Sequence, residues 1–500
     1  MFMERESGGI AGKIIAAVFL LVSAAFVGLL VYTKLVPAVI VAVIGVVLLI
    51  FVILVTVLTW NRHNLVRFII GTVLAVLFSV LFIVGGVYLY KTTSTLSKIS
   101  GVETEIAQVG IYVRAQDSAD SLAATSGYKY GIITDLDREN TDKTLEAIKT
   151  ELGSEIQVQE YRGLTELVDG LRREETGAII LNQAYIPVLE EIDGYGDIAS
   201  QMREISVKHV ETVIETANNP SENQNTGAGE QVQPDVEATG EIYTVYISGI
   251  DNRGGLVAKS RSDVNIIAVA NTKTHQLLLV STPRDYFVPL SISGGVPDKL
   301  THAGIYGISV SMDTLSMLYG IDINNYFRIN FGGFVSIIDA LGGITVESDY
   351  DFSTSGFHYN KGSNYVNGEQ ALAFARERYA FSGGDRQRGK NQMAVIQGVI
   401  NKALSPELLK NYSSILSGLQ GSFETNISYE EIARLLQQQL TEGGSWNIVT
   451  YSADGTGDKQ IPYSMSQPAY VMIPDYTTVD AAKEMIRQVQ NGQTITPPQG

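Results

Sequence analysis

Three long apolar runs near the N-terminus constrain this chain most, because no water-soluble core needs uninterrupted runs of that length. They span Ile14 to Tyr32, Ala38 to Trp60 and Phe68 to Tyr90, and none contains a charged residue. Each has about the twenty residues that a helix needs to cross about 30 Å of hydrocarbon. A cleaved signal peptide accounts for the first run but not for the two behind it. The sequence therefore predicts a membrane anchor of three transmembrane helices in residues 1–92.

The basic residues between the runs predict the orientation of the anchor. A cytoplasmic N-terminus places Arg5, Lys13, Arg62 and Arg67 inside the cell and Lys34 outside it, as the positive-inside rule favours. Three spans then carry the residues after about 91 out of the cell. The inverted protein, with a cytoplasmic body, stays open as an alternative because two lysines follow the third span on the outer side.

Composition excludes several classes of function. The formal charge of -17, from 53 acidic and 36 basic residues, argues against a nucleic-acid binder, which needs a basic face. The chain has no cysteine, so disulfides, thiolate nucleophiles and Cys-ligated zinc are excluded. Its five histidines lack metal-ligand spacing, and no G-x-S-x-G nucleophile elbow occurs.

Beyond the anchor, the hydrophobic pattern predicts two α/β domains separated by a polar linker. Strands at 130–134, 156–161 and 178–181, with helices at 141–152 and 164–173 between them, predict a small accessory α/β domain with a parallel sheet in residues 93–217. Residues 218–241 hold almost no large apolar side chain and predict a flexible linker. We expect this accessory domain to be structural or to bind a partner.

A large mixed α/β domain is predicted for residues 242–490, followed by a tail at 491–500. Its strands are expected at 242–250, 264–270 and 277–281, with a hairpin turn at 271–276. Its helices are expected at 310–319, 331–341, 371–375 and 390–404. Gly342 and Gly343 form a C-cap pair behind the second of these helices.

A basic cluster interrupts this acidic chain and predicts an anion site. Five basic residues lie within fifteen positions: Arg376, Arg378, Arg386, Arg388 and Lys390. Gly383 and Gly384 precede Arg386, and Gly389 interrupts the run just before the last predicted helix. Backbone amides and a helix N-terminus therefore face the same place as the side chains, which suits phosphate. If that helix begins by residue 388, Arg388 and Gln392 share one face. A merely solvated charged face is the alternative.

The segment from Gly384 to Lys390 also matches the first seven positions of a P-loop. Asn391 stands where the motif needs a Ser or Thr to hold magnesium, and no apolar strand leads into the segment. The sequence therefore argues against an NTPase.

Carboxylates and an arginine lie at the ends of the strongest predicted strands. Asp251 follows the first strand, Asp263 precedes the second, and Arg284 with Asp285 follows the third. Such residues are ordinary in turns, but a diphosphate needs guanidinium groups and a divalent cation that bridges it to carboxylates. Asp251 and Asp263 are candidate ligands, and oxygen ligation without His or Cys favours magnesium or manganese.

At these residues the sequence resembles the LytR-CpsA-Psr family, and its architecture resembles streptococcal capsule-type members in particular. The matching stretches are RSDVNIIAVANTKTHQLLLVSTPRDYFVPL (261–290), KLTHAGIYG (299–307), DINNYFRINFGGFVSIIDALGGITV (322–346) and NGEQALAFARERYAFSGGDRQRGKNQ (367–392). Together they cover roughly residues 245–405. Four ordered motifs at family-like spacing are more specific than any single cluster.

The resemblance implies a magnesium-dependent phosphotransferase that moves a capsular or related glycopolymer from a polyprenyl-pyrophosphate carrier onto peptidoglycan. It places Asp251 and Asp263 at the metal and makes Asp263 and Arg284 the most sensitive to mutation. It assigns the pyrophosphate to six residues: Arg284, Lys299, Arg376, Arg378, Arg388 and Gln392. Arg386 is left out, because many relatives have a non-basic residue in that stretch.

The implied partners are the lipid-linked glycan, the peptidoglycan acceptor, membrane lipid and capsule-assembly proteins, without nucleic acid. Two other functions stay open. The same residues suit a polyprenyl-pyrophosphate phosphatase with water as acceptor. The accessory domain also suits a non-catalytic membrane regulator of capsule assembly.

Overall fold

The computed structural model describes residues 2–60, 65–102, 104–134, 136–214, 242–250, 259–403, 405 and 423–496. The predicted linker at 218–241 and the candidate ligand Asp251 lie outside these residues. The chain divides into two compact units. One unit contains Met1–Gly101 and Ile427–Ser445, and the other contains Val102–Asn411, Gly421–Asn426 and Trp446–Gly500.

Three long helices build the first unit: α1 (Phe2–Thr33), α2 (Ala38–Trp60) and α3 (Leu65–Ile99). Each contains a stretch long and apolar enough to cross a membrane, and no more than 22% of any such stretch is buried. Phe19, Val55 and Phe82 are buried where the helices meet. Because the remaining apolar surface faces outward, lipid is the medium that these helices require. The prediction of a three-helix membrane anchor is confirmed.

The second unit begins with the accessory α/β domain. Its elements are β1 (Thr104–Arg114), β2 (Lys129–Ile133), α4 (Arg138–Leu152), β3 (Gln157–Tyr161), α5 (Leu164–Arg172), β4 (Ala178–Asn182), α6 (Ile186–Glu190), α7 (Ile198–Gln201) and β5 (Met202–Val213). The strand order is β3-β2-β4-β1-β5.

The three strands predicted for this domain do form a parallel sheet, and two strands that were not predicted extend it in antiparallel orientation. Strand β2 runs parallel to β3 and β4, but β1 lies antiparallel between β4 and β5. Strand β1 is almost fully buried at Val109, Ile111 and Val113, so it is a central strand that the sequence pattern did not reveal.

The larger domain of the second unit follows. Its first elements are β6 (Ile242–Ile250), β7 (Ser262–Asn271), β8 (Gln276–Ser281), β9 (Phe287–Pro289), β10 (Pro297–Lys299), α8 (Leu300–Tyr306), α9 (Ile308–Tyr319), β11 (Asn325–Asn330) and α10 (Phe331–Ala340). Next come β12 (Ile344–Ser348), β13 (Phe352–Thr354), β14 (Phe357–Tyr359), β15 (Gly362–Val366), α11 (Gly368–Arg376), α12 (Asp385–Ala403) and β16 (Phe423–Thr425).

After these the chain forms α13 (Tyr429–Glu442), β17 (Asn447–Ser452), β18 (Gly455–Gln460), β19 (Ala469–Pro474) and α14 (Tyr476–Gln490). Helix α13 belongs to the first unit, the one with the three long helices. Its Tyr429 hydroxyl donates to the Thr33 carbonyl, and its Gln437 amide donates to the Lys34 carbonyl. Both carbonyls lie at the connection between α1 and α2.

A six-stranded mixed sheet, in the order β16-β11-β6-β7-β8-β17, forms the centre of the larger domain. The predicted hairpin joins β7 to β8, with Asn271 opposite Gln276. One face of the sheet packs on α9 and α14 through residues such as Tyr246, Leu278 and Met485. The other face packs on α12 through Ile266, Leu279 and Met393. The predicted fold class, a mixed α/β domain behind an accessory α/β domain, is confirmed.

The accessory domain and the larger domain share a hydrophobic core. Ile305 and Met465 of the larger domain pack in one cluster with Leu164, Tyr185 and Ile198 of the accessory domain. The burial of this apolar surface holds the two domains together in the same way that a hydrophobic core holds a single domain together. The accessory domain is therefore packed against its neighbour rather than tethered to it.

A buried ion cluster joins the same two domains. Arg328 of β11 lies 3.4 Å from Glu105 of β1 and donates to Glu424 of β16 across 2.6 Å. The Arg328 and Glu105 side chains are each 3% exposed. Gly307 leaves room for the Glu105 carboxylate, because a Cβ on residue 307 would lie 2.2 Å from that carboxylate. The φ of Gly307, +139°, also favours glycine.

Candidate functional site

The antiparallel pairing of β7 with β8 brings the predicted residues Asp263 and Arg284 together. Ile266 lies opposite Ser281, so the beginning of β7 and the end of β8 meet at one edge of the sheet. There the Arg284 guanidinium donates from Nη1 to Asp263 Oδ1 across 2.6 Å. The two side chains are only 14% and 15% exposed, so the pair is shielded from most of the solvent.

Lys299 joins the same place because the backbone after β8 doubles back on itself. The amides of Leu300 and Thr301 donate to the carbonyls of Tyr286 and Arg284, at 2.9 and 2.8 Å. The Lys299 side chain is 5% exposed, and its Nζ lies 3.8 Å from Asp285 Oδ1. Asp263, Arg284, Asp285 and Lys299 therefore form one partly buried charged cluster.

Buried polar residues hold the backbone of Lys299 in place. His302 Nδ1 lies 2.7 Å from Asp298 Oδ1 and 2.9 Å from Ser464 Oγ. The backbone amide of Lys299 donates to the same Asp298 oxygen at 2.7 Å. Asp298 and His302 are fully buried, so His302 is a core residue.

Two members of the cluster were not predicted from the sequence as site residues. Arg261 forms an ion pair with Glu191, and Glu191 Oε2 accepts from Lys299 Nζ at 2.7 Å. Glu191 Oε1 also lies 3.4 Å from Arg284 Nη2. Burial alone raises the pKa of Glu191, but Lys299 and Arg261 outweigh burial and lower the pKa to about 2.

Arg261 could have been suspected, since it opens the RSDVN stretch two positions before Asp263. Glu191 carries no such signal. It follows α6 of the accessory domain, 108 positions before Lys299 in the chain. Only tertiary packing reveals that the two residues meet.

The basic segment near residue 380 lies between α11 and the first turn of α12. Arg376 ends α11, where its guanidinium stacks 4.6 Å from the centre of the Phe331 ring. Arg378 donates to the Tyr379 hydroxyl at 2.6 Å, and both arginines are exposed. Their exposed guanidinium groups are accessible to an anion.

Helix α12 begins at Asp385, so Arg388 and Gln392 share one face of its first turns, as the sequence analysis required. A Cβ on Gly389 would lie 3.5 Å from Ser281 Oγ. The first turns of α12 therefore lie against the end of β8, three residues before Arg284. This packing places the beginning of α12 beside the strand end that precedes Arg284.

Arg386 has a different environment from its neighbours. Its Nε lies 2.5 Å from Asp454 Oδ1, and its Nη2 donates to the Gly455 carbonyl at 2.8 Å. This arginine ties α12 to the loop between β17 and β18.

The predicted magnesium site is not completed by the residues that the structure describes. Within the described ranges no group of three His, Cys, Asp or Glu side chains suits a metal ion. Asp263 has one carboxylate oxygen engaged by Arg284, and Asp251 lies outside the described ranges. The metal site therefore stays a prediction from the sequence.

Comparison with known proteins assigns the chain to a family. The model of the LytR_cpsA_psr family matches residues 205–486. The chain is 36% identical over 197 residues to the polyisoprenyl-teichoic acid--peptidoglycan teichoic acid transferase TagU of Enterococcus faecalis, which is 39% of this chain and 65% of that protein. It is 34% identical over 209 residues to the TagU of Bacillus anthracis, 42% of this chain and 66% of that protein. The chain thus spans just under two thirds of each of these relatives.

Solved structures match over half of the chain. The crystal structure of B. subtilis TagV is 26% identical, and the match covers 51% of this chain and 99% of TagV with a TM-score of 0.43. The structure of protein gbs0355 from Streptococcus agalactiae is 27% identical over 51% of this chain and 90% of that chain, with a TM-score of 0.44. Since the family model covers more than half of its residues, the chain belongs to the LytR_cpsA_psr family.

Proposed function

We propose that this protein transfers a capsular or related glycopolymer from a polyprenyl-pyrophosphate carrier to peptidoglycan. The observation that carries the proposal is the partly buried cluster of Arg261, Arg284 and Lys299 beside Asp263 and Asp285. Cations held in low-dielectric surroundings bind phosphate oxygens more strongly than cations in water do. Family membership, and relatives named as teichoic acid transferases, support the same reaction class.

The cluster suits phosphoryl transfer, in which the protein supplies position and charge. A hydroxyl of the acceptor attacks the phosphorus that carries the glycan, forming a new oxygen–phosphorus bond. The bond from that phosphorus to the bridging oxygen breaks, and prenyl monophosphate leaves with the bond electrons. Arg284 and Lys299 stabilise the charge that develops on these oxygens. A carboxylate of the cluster, Asp263 or Asp285, accepts the hydroxyl proton.

The residues after β15 extend the anion site. We assign Arg376, Arg378, Arg388 and Gln392 to the pyrophosphate together with Arg284 and Lys299. Arginine binds phosphate oxygens bidentately, and α12 adds the positive end of its dipole. We further propose that Asp251 and Asp263 hold magnesium, or manganese, which would neutralise charge on the diphosphate.

The membrane anchor also suits the proposed reaction. A donor tied to the bilayer by a prenyl chain meets an enzyme confined to the same surface at a raised effective concentration. The proposed reaction also requires the body after residue 91 to lie outside the cell, where peptidoglycan is located. The charge bias around the three spans supports that orientation.

The test is a transfer assay with the full-length protein in liposomes, with a polyprenyl-pyrophosphate glycan, magnesium and peptidoglycan. We expect glycan to become attached to peptidoglycan, and Arg284→Ala to reduce attachment at least a hundredfold. Arg487→Ala is the matched control, because Arg487 is 66% exposed and pairs with Glu484 on the surface. Attachment that survives Arg284→Ala would contradict the proposed site.

The products distinguish the alternatives. Phosphorylated glycan released into solution, with none on peptidoglycan, would identify a phosphatase. No turnover of the lipid-linked glycan, despite binding, would identify a regulator.

A further inference from the structure

The proposed phosphate site already holds an anion, and the accessory domain provides it. Glu191 Oε2 accepts from Lys299 Nζ at 2.7 Å, and Glu191 Oε1 lies 3.4 Å from Arg284 Nη2. Glu191 also forms an ion pair with Arg261. Three cations of the larger domain therefore converge on one carboxylate from another domain.

This carboxylate uses donors that a phosphate would use. The ammonium of Lys299 and the guanidinium of Arg284 are the buried cations of the site, and Arg284 Nη1 is already directed at Asp263. The Glu191 side chain is 27% exposed, and the cations around it keep it ionised at neutral pH. A phosphate that approached these donors would be repelled by the Glu191 charge.

Glu191 can leave the cations without movement of the whole accessory domain. It caps the C-terminal end of α6, a helix of five residues, and a glutamate side chain rotates about three bonds. The domain body is held in place by the core that Leu164, Tyr185 and Ile305 share. Release therefore involves rotation of one side chain rather than separation of the domains.

We propose that Glu191 is a resident anion of the donor site, which the pyrophosphate of the lipid-linked donor displaces when it binds. The inference rests on the proposed function, because it takes Arg284 and Lys299 as phosphate ligands. In the empty enzyme Glu191 neutralises the cation cluster. When the donor is bound, Glu191 turns away and the phosphate oxygens take its place.

The accessory domain thereby acquires a role at the site. The accessory domain opposes donor binding through the Glu191 carboxylate at the end of α6. This carboxylate therefore raises the donor concentration that is needed to fill the site. A catalytic domain without this carboxylate would bind any accessible diphosphate more tightly.

The experiment measures binding of a short-chain prenyl pyrophosphate to the full-length protein in detergent micelles by isothermal titration calorimetry. We expect Glu191→Gln to lower the dissociation constant about tenfold. Glu190→Gln is the matched control: it removes the same charge from the adjacent residue, which is exposed, and should leave the constant unchanged. Unchanged or weaker binding by Glu191→Gln would overturn the proposal and make Glu191 a positioning or structural residue.

Two further variants separate this inference from the proposed function. Arg284→Ala should weaken binding of the same probe, and if it does not, the proposed site itself fails. If Arg284→Ala weakens binding but Glu191→Gln does not tighten it, only the displacement by donor fails. Glu191→Asp retains the charge on a shorter side chain that reaches the cations less well. It should bind the probe several-fold more tightly than the wild type, and equal or weaker binding would count against displacement.

Discussion

Arg284 at the end of β8 donates to Asp263 at the beginning of β7 across 2.6 Å, and both side chains are about 15% exposed. The pair joins two adjacent strands at the edge where the other charged residues gather. Asp263 fixes the direction of the guanidinium, whose Nη2 lies 3.4 Å from Glu191 Oε1. A geometry of this kind requires the planar fork of arginine.

Replacing Arg284 by lysine tests that requirement. Arg284→Lys retains the positive charge but loses the fork that contacts Asp263 and that we propose binds a phosphate at the same time. We expect glycan attachment to fall about a hundredfold, with little change in the unfolding temperature. The rate of attachment by the purified full-length protein measures the effect. Activity near the wild-type level would show that charge alone suffices at this position.

Arg386 and Arg388 provide a paired comparison within one helix turn. Arg386 is engaged by Asp454 and the Gly455 carbonyl, whereas Arg388 shares a helix face with Gln392. We expect Arg388→Ala to weaken binding of a prenyl pyrophosphate about tenfold or more, and Arg386→Ala to leave it unchanged. Since Arg386 is 55% exposed, its loss should cost about 1 kcal/mol of stability or less. Equal effects of the two variants on binding would contradict the assignment.

Arg328 is expected to be critical for stability rather than for activity. Arg328→Met leaves the carboxylates of Glu105 and Glu424 without their buried counter-charge. The expected cost is about 3 to 5 kcal/mol of unfolding free energy, measured by chemical denaturation. Burial raises the pKa of Glu105 although Arg328 opposes that rise, so Glu105→Gln should cost less than Arg328→Met. The reverse order would show that Glu105, not Arg328, dominates the cluster.

The lowered pKa of Glu191 predicts a pH-dependent contribution to stability. The folded protein holds this pKa at about 2, against an ordinary value of 4.5. The ionised form is therefore stabilised by folding, and its contribution is present above about pH 4.5 and is lost as the pH falls toward 2. The difference in unfolding free energy between wild type and Glu191→Gln should shrink over that interval. A difference that does not vary with pH would show that the charge of Glu191 contributes nothing.

The shared core predicts how the larger domain behaves alone. A fragment of residues 242–500 exposes Ile305 and Met465, which the accessory domain covers. Loss of that apolar burial should lower its unfolding temperature and promote aggregation relative to a fragment of residues 102–500. Thermal unfolding and light scattering of the two fragments measure the difference. A monodisperse 242–500 fragment with the same unfolding temperature would contradict the shared core.

Sequence patterns were sufficient wherever the determining contacts are local. The three spans follow from uninterrupted apolar runs, and the β7–β8 hairpin follows from two strands with a polar turn between them. The end of α10 follows from Gly342 and Gly343, whose φ values of +74° and +91° favour glycine. The proximity of Asp263 to Arg284 could be inferred from the sequence, because consecutive antiparallel strands place those positions at one edge of the sheet.

Local sequence patterns could not predict the contacts between distant parts of the chain. Strand β1 lies between two strands that come much later in the chain, and no periodicity encodes that neighbourhood. Glu191 reaches Lys299 only because the accessory domain packs on the larger domain. The complete anion site of Arg284, Lys299, Arg376, Arg378, Arg388 and Gln392 stays a prediction from the sequence, as does the metal site at Asp251 and Asp263. The position of α12 beside Ser281 supports the anion site.

The most direct test of the account follows both products of the reaction from one labelled donor. The full-length protein in liposomes receives a polyprenyl-pyrophosphate glycan with label in the sugar and in the prenyl chain, together with peptidoglycan. We expect the sugar label to become covalently attached to peptidoglycan through a phosphodiester, and one prenyl monophosphate to appear for each glycan attached. Release of prenyl phosphate without labelled peptidoglycan would contradict the account.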